Sequence, residues 1–203
     1  KIIHRGSFVI QSLEICNILS DDGHEVHYLD HTAGGQTLKP GTRLLDDKEF
    51  KFHLHGNGMQ PYANDIIEHK LRSLKADIFA VLLDTFMLYP SYLSKDFSPT
   101  RAQVMYYPSD GGGNLPAGCE NIIRKFSHSV AMSKFAQRQA KEVHGLDTLY
   151  IPHGVNTNLF KPLSEEERFN LKRKYGLLGK TVIGSVFRNQ GRKMSDRYFD
   201  AFA

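Results

Sequence analysis

Short apolar runs alternate with amphipathic stretches along most of the chain. Residues 1–4 predict the end of a strand, and a turn at residues 5–7 leads into apolar residues at helical spacing that stop at residues 21–23 (DDG). That apolar set comprises Phe8, Leu13, Ile15, Ile18 and Leu19. Residues 25–30 (EVHYLD) predict the next strand. Strand, turn, helix and strand within about 30 residues form the βαβ unit of Rossmann-like folds.

The same alternation continues through the middle of the chain. Residues 77–84 (DIFAVLLD) are almost wholly apolar between two acids, which predicts a central parallel strand. Further strands are predicted at residues 50–55, 103–107, 129–132 and 148–151, helices at 64–75, 120–126 and 134–143, and a loop at 31–42. Ser133 and Gly145 suit the two ends of the last helix. The fold class is therefore α/β, with a Rossmann-like parallel sheet flanked by helices.

The pattern changes after residue 160. Ser164 and Glu167 form a capping box for a charged helix that ends near Gly176, and residues 181–187 and 194–203 predict one strand and one helix. We expect residues 1–160 to form an N-terminal Rossmann-like domain and residues 161–203 to be a linker helix and the start of a second such domain. One strand and one helix bury too little surface for a core, so the second domain is expected to be truncated.

Composition narrows the class of partner. The chain has 203 residues, of which 40% are hydrophobic and 24% charged, as in ordinary globular proteins. The net charge of +4 permits an anionic ligand or membrane surface. Nucleic acid is not expected, because the basic residues are scattered and no zinc-finger or aromatic RNA-binding motif accompanies them.

Location follows from what the sequence contains. No run approaches the roughly 20 apolar residues of a membrane span, and no secretory signal pattern is present. Cys16 and Cys119 lack metal-ligand spacing, and reduced thiols fit the cytosol. A cytoplasmic location is the simplest interpretation. The chain starts at Lys1 rather than Met, so an earlier start is expected.

Two cations follow the predicted strand at residues 181–187. Arg188 and Lys193 lie in the loop that leaves its carboxyl end, the edge at which α/β folds bind ligands. A guanidinium binds a diphosphate through paired hydrogen bonds, and an ammonium binds it as a point charge. On spacing alone, the favoured interpretation is two solvated surface cations, because clustered Arg and Lys are usually solvated.

Three segments resemble one family of enzymes. Residues 151–162 (IPHGVNTNLFKP) resemble the interdomain linker of GT-B glycosyltransferases, in particular family 4. Residues 130–136 (VAMSKFA) resemble the family's strand and helix start, and residues 187–193 (FRNQGRK) resemble the first loop of its second domain. The segments occur in the family's order and rough spacing, so the chain resembles the N-terminal half of a GT-B fold with the beginning of the other half.

The resemblance implies a retaining hexosyltransferase-type enzyme. Such an enzyme moves a sugar from a UDP- or GDP-sugar to a hydroxyl of a carbohydrate or lipid-linked acceptor, with no obligatory metal and no cofactor beyond the donor. Arg188 and Lys193 inherit the stabilisation of the leaving diphosphate. Lipid-linked acceptors also allow peripheral contact with the inner membrane face. The family's paired glutamates fall beyond Ala203, so we expect the 203-residue chain alone to be inactive and to bind donor weakly or not at all.

Other site residues follow from the same likeness. Gly6 and Ser7 occupy the first strand-to-helix turn, which in the family approaches the donor phosphates or the acceptor, although the family's usual Gly-Gly pair is absent. A tight turn without a ligand is the alternative. Asp110, in YPSDGGG, takes the place where many members contact the transferred sugar, and is the candidate catalytic residue. Its alternative is an Asx turn that opens the glycine loop.

The remaining candidate site residues lie at the end of one predicted strand and in the linker motif. Asp84 ends its predicted strand and either binds acceptor or caps the following loop. His153, Gly154 and Asn156 lie in the linker motif and are expected near the interdomain cleft, with Phe160 as a core anchor.

Ten histidines raise the question of a metal. His53 and His55 lie on one face of a strand, and His24 and His27 flank another, but no cysteine or carboxylate cluster joins them at ligand spacing. We expect strand-end or surface histidines and no metal site.

Two other functions fit the same fold. A sugar-nucleotide epimerase would use carboxylates and histidines of both domains as acid and base, and full-length protein would isomerise a UDP-sugar. A non-catalytic binding or scaffold subunit would lack the glutamate pair downstream.

Overall fold

The computed structural model describes residues 7–30, 37–42, 49–56, 59–109, 115–187 and 191–201. Internal contacts divide the chain into two units, Lys1–Gly154 and Val155–Ala203. The predicted first strand at residues 1–4 lies outside the described residues.

The first part of unit 1 is a small sheet backed by a long helix. It consists of α1 (Ser7–Asp21), β1 (His27–Asp30), β2 (Thr37–Leu38) and β3 (His53–Gly56), with strand order β1-β3-β2. β1 runs parallel to β3, and β2 pairs antiparallel with β3. The helix and the two longer strands were predicted. β2 falls in a predicted loop, because two residues are too short to produce a hydrophobic pattern.

This small sheet buries one of its faces. Cys16 of α1 packs with Phe50, Phe52 and Leu54, so the interpretation of Cys16 as a core residue is confirmed. Val26 and Tyr28 pack against the same cluster. Side chains alternate along a strand, so the intervening residues of β1 and β3 project from the opposite face.

The second part of unit 1 is a four-stranded sheet. Its strands are β4 (Ile78–Leu82), β5 (Ala102–Tyr107), β6 (His128–Ala131) and β7 (Leu149–Tyr150), in the order β4-β5-β6-β7 and all parallel. The helices are α2 (Ile67–Leu74), α3 (Thr85–Leu88), α4 (Cys119–Lys125) and α5 (Lys134–His144), and a 3-10 turn spans Pro61–Ala63. The predicted α/β fold, with a parallel sheet flanked by helices, is confirmed.

A larger core fills this region. Met105, Tyr107 and Ile122 are fully buried, and the rings of Phe79, Phe97 and Phe126 pack together with centroids 4.8 to 5.9 Å apart. The predicted central position of β4 stays a prediction, because the predicted strand at residues 1–4 lies outside the described residues. Among the described residues it pairs with β5 alone, and Ile78 is 62% exposed. An apolar run indicates burial on both faces, but it does not specify how many strands lie beside it.

Unit 2 contains α6 (Glu165–Lys174), a 3-10 turn at Gly191–Lys193 and α7 (Ser195–Asp200). The predicted capping box is confirmed: Glu167 N–H donates to Ser164 Oγ at 3.2 Å, and Ser164 N–H donates to Glu167 Oε2 at 2.9 Å. The predicted strand at residues 181–187 is wrong, since no described segment pairs with it and its apolar residues Val182, Ile183 and Val186 are exposed. A strand requires a hydrogen-bonded neighbour, which sequence pattern alone does not provide.

None of the helices that the structure describes combines the length and the apolar character required to cross a bilayer.

Candidate functional site

The carboxyl ends of β4, β5, β6 and β7 lie along one edge of the sheet, because the four strands are parallel. The residues that follow these strands are Asp84, Ser109, Ser133 and His153. Open α/β sheets bind ligands at this edge. The topology therefore makes this edge of unit 1 the first candidate site.

Asp84 is half-buried at this edge. It takes the N-cap position of α3, with φ −62° and ψ 141°, and its side chain makes no capping hydrogen bond to that helix. Its backbone carbonyl accepts from Met87 N–H at 3.1 Å. The structure thus places Asp84 at the predicted ligand-facing edge.

The ring of His153, which follows β7, lies against the ring of Tyr106 on β5. The two rings meet edge to face, with centroids 5.1 Å apart and planes at 75°. Burial lowers the pKa of His153, which favours the neutral imidazole. A neutral imidazole has one donor and one acceptor nitrogen, so it can hydrogen-bond a hydroxyl in either sense.

Gly154 and Asn156 have different surroundings. A Cβ built on Gly154 meets nothing within 4 Å, so the described structure gives no steric reason for glycine there. In unit 2, Asn156 Oδ1 accepts from the N–H groups of Asn158 and Leu159 at 3.1 and 3.2 Å, which makes it the start of a turn. Phe160 is 68% exposed, so its prediction as a core anchor is wrong. None of the described residues of unit 2 covers its ring.

The structure describes only some of the residues that are predicted to contact phosphate or sugar. Gly6, Asp110 and Arg188 lie outside the described residues. Ser7 begins α1, and Lys193 ends the 3-10 turn of unit 2 with its side chain exposed. The pairing of Arg188 with Lys193 therefore stays a prediction.

A second cluster of functional groups lies on the other face of the small sheet. His27 and His53 are direct partners in the β1–β3 register, and their rings stack with centroids 4.4 Å apart. Glu25 precedes His27 by two residues, and His55 follows His53 by two, so all four side chains share one face. His55 is buried and lies next to the last residue of β3, so of the two expected kinds it is a strand-end histidine and not a surface one.

Hydrogen bonds connect this cluster in one line. Lys70 Nζ lies 3.4 Å from His55 Nδ1, His55 Nε2 lies 3.0 Å from His27 Nδ1, and His27 Nε2 lies 3.0 Å from Glu25 Oε1. Because an ammonium can only donate, His55 accepts at Nδ1 and carries its proton on Nε2. His55 then donates to His27, and His27 donates to the Glu25 carboxylate.

The imidazoles of His53 and His55 are held neutral. Burial lowers the pKa of His55 to about 4, with further lowering by Lys70, His27 and His53. Burial and His27 lower the pKa of His53, and nearby Glu25 partly opposes this. Neutral imidazole is the form that coordinates metal ions.

The sequence did not predict this cluster, because the amino-acid sequence of neither strand specifies the register in which β1 pairs with β3. The spacing of two residues in Glu25/His27 and in His53/His55 was the available signal. It identifies two polar pairs, each on one face of a strand, but it does not reveal that the pairs lie side by side.

Comparison with protein-family models gave no match, and no curated protein sequence matches the chain.

Proposed function

We propose that the protein is a retaining glycosyltransferase of the GT-B type. It would transfer a sugar from a nucleotide-diphosphate sugar to a hydroxyl of a carbohydrate or lipid-linked acceptor. In this proposal unit 1 is the acceptor-side domain, and the residues after it begin the donor-side domain.

The observation that carries the proposal is the carboxyl edge of the four-stranded parallel sheet. Asp84 and His153 lie at that edge, where an α/β domain binds ligands. The segment that resembles the family's linker starts there as well, directly after β7. A carboxylate and a neutral imidazole are groups that hydrogen-bond sugar hydroxyls, which fits an acceptor side.

The proposed chemistry breaks the bond between the anomeric carbon and the donor phosphate oxygen. The acceptor oxygen bonds to the same face of that carbon, and the acceptor proton passes to the departing phosphate. Negative charge grows on the leaving diphosphate, and Arg188 and Lys193 are assigned to neutralise it, with the Gly6–Ser7 turn as a further phosphate contact. Asp110 is assigned to the positive charge that builds at the anomeric carbon, and Asp84 to acceptor hydroxyls.

A donor screen tests this function. Full-length protein is incubated with a panel of UDP- and GDP-sugars, with and without carbohydrate and lipid-linked acceptors, and the released nucleoside diphosphate is measured. We expect acceptor-dependent release and a product whose anomeric configuration, read by NMR, matches that of the donor. An isomerised sugar nucleotide without acceptor would identify an epimerase instead, and neither turnover nor donor binding would identify a non-catalytic subunit.

A further inference from the structure

The second cluster brings together three groups of the kinds that bind transition metals. One ligand atom from each of Glu25, His27 and His53 lies within 4.8 Å of the others. Glu25 Oε1 is 3.0 Å from His27 Nε2 and 3.9 Å from His53 Nε2. Two ligands of a tetrahedral ion with bonds of about 2.0–2.1 Å lie about 3.3 Å apart, and the observed separations fall on either side of that value.

We propose that Glu25, His27 and His53 form a binding site for a divalent transition-metal ion of the Zn²⁺ class. Two imidazoles and one carboxylate suit Zn²⁺, whereas Mg²⁺ and Ca²⁺ require mostly oxygen ligands. The proposal is independent of the glycosyltransferase proposal, because the cluster lies on the small sheet and uses none of the residues assigned to sugar transfer.

The backbone fixes the positions from which the ligands extend. His53 N–H donates to the carbonyl of Val26 at 2.9 Å, which continues the β1–β3 pairing between Glu25 and His27. His27 and His53 therefore come from two hydrogen-bonded strands, and Glu25 comes from the segment that leads directly into β1. A bound ion would join β1 to β3 through their side chains, so it would stabilise the folded state.

The side chains must rotate slightly for coordination. The rings of His27 and His53 lie only 19° from parallel, so their lone pairs point side by side rather than at one point. The Cβ–Cγ bonds are broad sp³–sp² torsions, so rotation about them can turn the two lone pairs toward one ion. The Glu25 side chain is 76% exposed and is free to follow.

His55 and Lys70 affect the proposed ion indirectly, because His55 contacts the ligand His27 and Lys70 contacts His55. A metal on His27 Nε2 leaves the proton of that ring on Nδ1, which then donates to His55 Nε2, 3.0 Å away. His55 must then carry its own proton on Nδ1, which opposes the contact from Lys70 at 3.4 Å. His55 therefore supports the ion as a positioning residue, whereas Lys70 weakens its binding through both its hydrogen bond and its charge.

Zinc titration of chelator-stripped protein tests the site. Binding is followed by calorimetry and by competition with a chromophoric chelator, and the visible absorption of Co²⁺ bound in place of Zn²⁺ reports the coordination geometry. We expect one site of this kind per chain, a higher melting temperature with Zn²⁺, and no effect of Mg²⁺ at the same concentration. Absence of Zn²⁺ binding, or equal binding of Mg²⁺, would overturn the proposal.

Variants assign the site to its residues. His27→Ala and His53→Ala should each weaken Zn²⁺ binding by more than about tenfold, and His55→Asn by about tenfold. Lys70→Met should tighten it by about fivefold, because a like charge and a competing donor are removed. Glu25→Gln changes one exposed carboxylate and should weaken binding without affecting the fold, which keeps the test valid if a histidine variant is unstable.

The exposed His128 of β6 provides the matched control, and His128→Ala should leave Zn²⁺ affinity unchanged. Equal losses in His128→Ala and His27→Ala would indicate scattered surface binding, and unchanged affinity in His27→Ala, His53→Ala and Glu25→Gln would remove the site altogether.

Discussion

The Tyr106 hydroxyl of β5 donates to the carbonyl oxygen of Ile151 at 2.9 Å, reaching past β6 to the segment that follows β7. Ile151 N–H in turn donates to the carbonyl of Ala131 at 3.2 Å. Both backbone polar groups of Ile151 are therefore bonded to other strands of the sheet, the carbonyl to a side chain of β5 and the N–H to the backbone of β6. The chain that leads to His153 is held at the carboxyl edge of the sheet by this pair of bonds.

Removing the Tyr106 hydroxyl should loosen that attachment. We expect Tyr106→Phe to lower the free energy of unfolding by about 1 kcal/mol, the typical value of one hydrogen bond, and the melting temperature by a few degrees. Chemical denaturation measures the first and calorimetry the second. Tyr175→Phe is the control, because the Tyr175 side chain is exposed and its ring contacts Lys174, a contact that phenylalanine keeps. A Tyr106→Phe protein as stable as the control would show that the bond contributes nothing.

The start of α5 depends on one side chain. Ser133 Oγ accepts from Ala136 N–H at 3.0 Å, which satisfies one of the unpaired donors of the first turn. We expect Ser133→Ala to cost about 1 kcal/mol of stability, and Ser133→Asp to restore most of it, because aspartate caps as well as serine does. Urea unfolding curves of the three proteins make the comparison. Equal losses for alanine and aspartate would point to packing around Ser133 rather than to the cap.

Features that depend on residues close in sequence were predicted well, and features that depend on pairing between distant segments were not. The caps at Ser133 and Ser164 could be read from the sequence because their partners lie three residues away. The alignment of His27 with His53 could not, since it depends on how distant segments pair. The same reason explains the strand expected at residues 181–187, whose pattern is right for a strand that has no described neighbour. At the candidate site, the sequence predicted Asp84 at the carboxyl edge of the sheet and His153 near the interdomain cleft. It missed Tyr106, whose contacts with His153 and Ile151 depend on how the strands are arranged.

The two cysteines should be unreactive in the folded protein. Burial raises the pKa of Cys16 to about 12, and burial also raises the pKa of Cys119. Both groups are therefore thiols rather than thiolates at pH 8, and thiolate is the reactive form. We expect a chromogenic disulfide reagent to titrate no thiol in native protein at pH 8 and two per chain in guanidinium, matching the two cysteines of the sequence. Rapid reaction of a native thiol would show that α1 or the start of α4 opens readily.

The assignment of Arg188 and Lys193 to the leaving diphosphate predicts a distinct kinetic pattern. In the proposed mechanism their charges act where negative charge develops, so their loss should lower kcat more than it raises the donor KM. In the full-length protein, under the proposed function, Arg188→Ala and Lys193→Ala should each lower kcat by about 10²- to 10³-fold, the range for removing one preorganised donor. Arg188→Lys should lower it less, because the charge remains while the paired hydrogen bonds are lost.

Arg173→Ala and Lys174→Ala remove exposed cations of α6 and should leave kcat unchanged. A rise in donor KM at constant kcat would mean that Arg188 and Lys193 bind donor without stabilising its departure, and equal effects in all four alanine variants would reduce their role to surface charge.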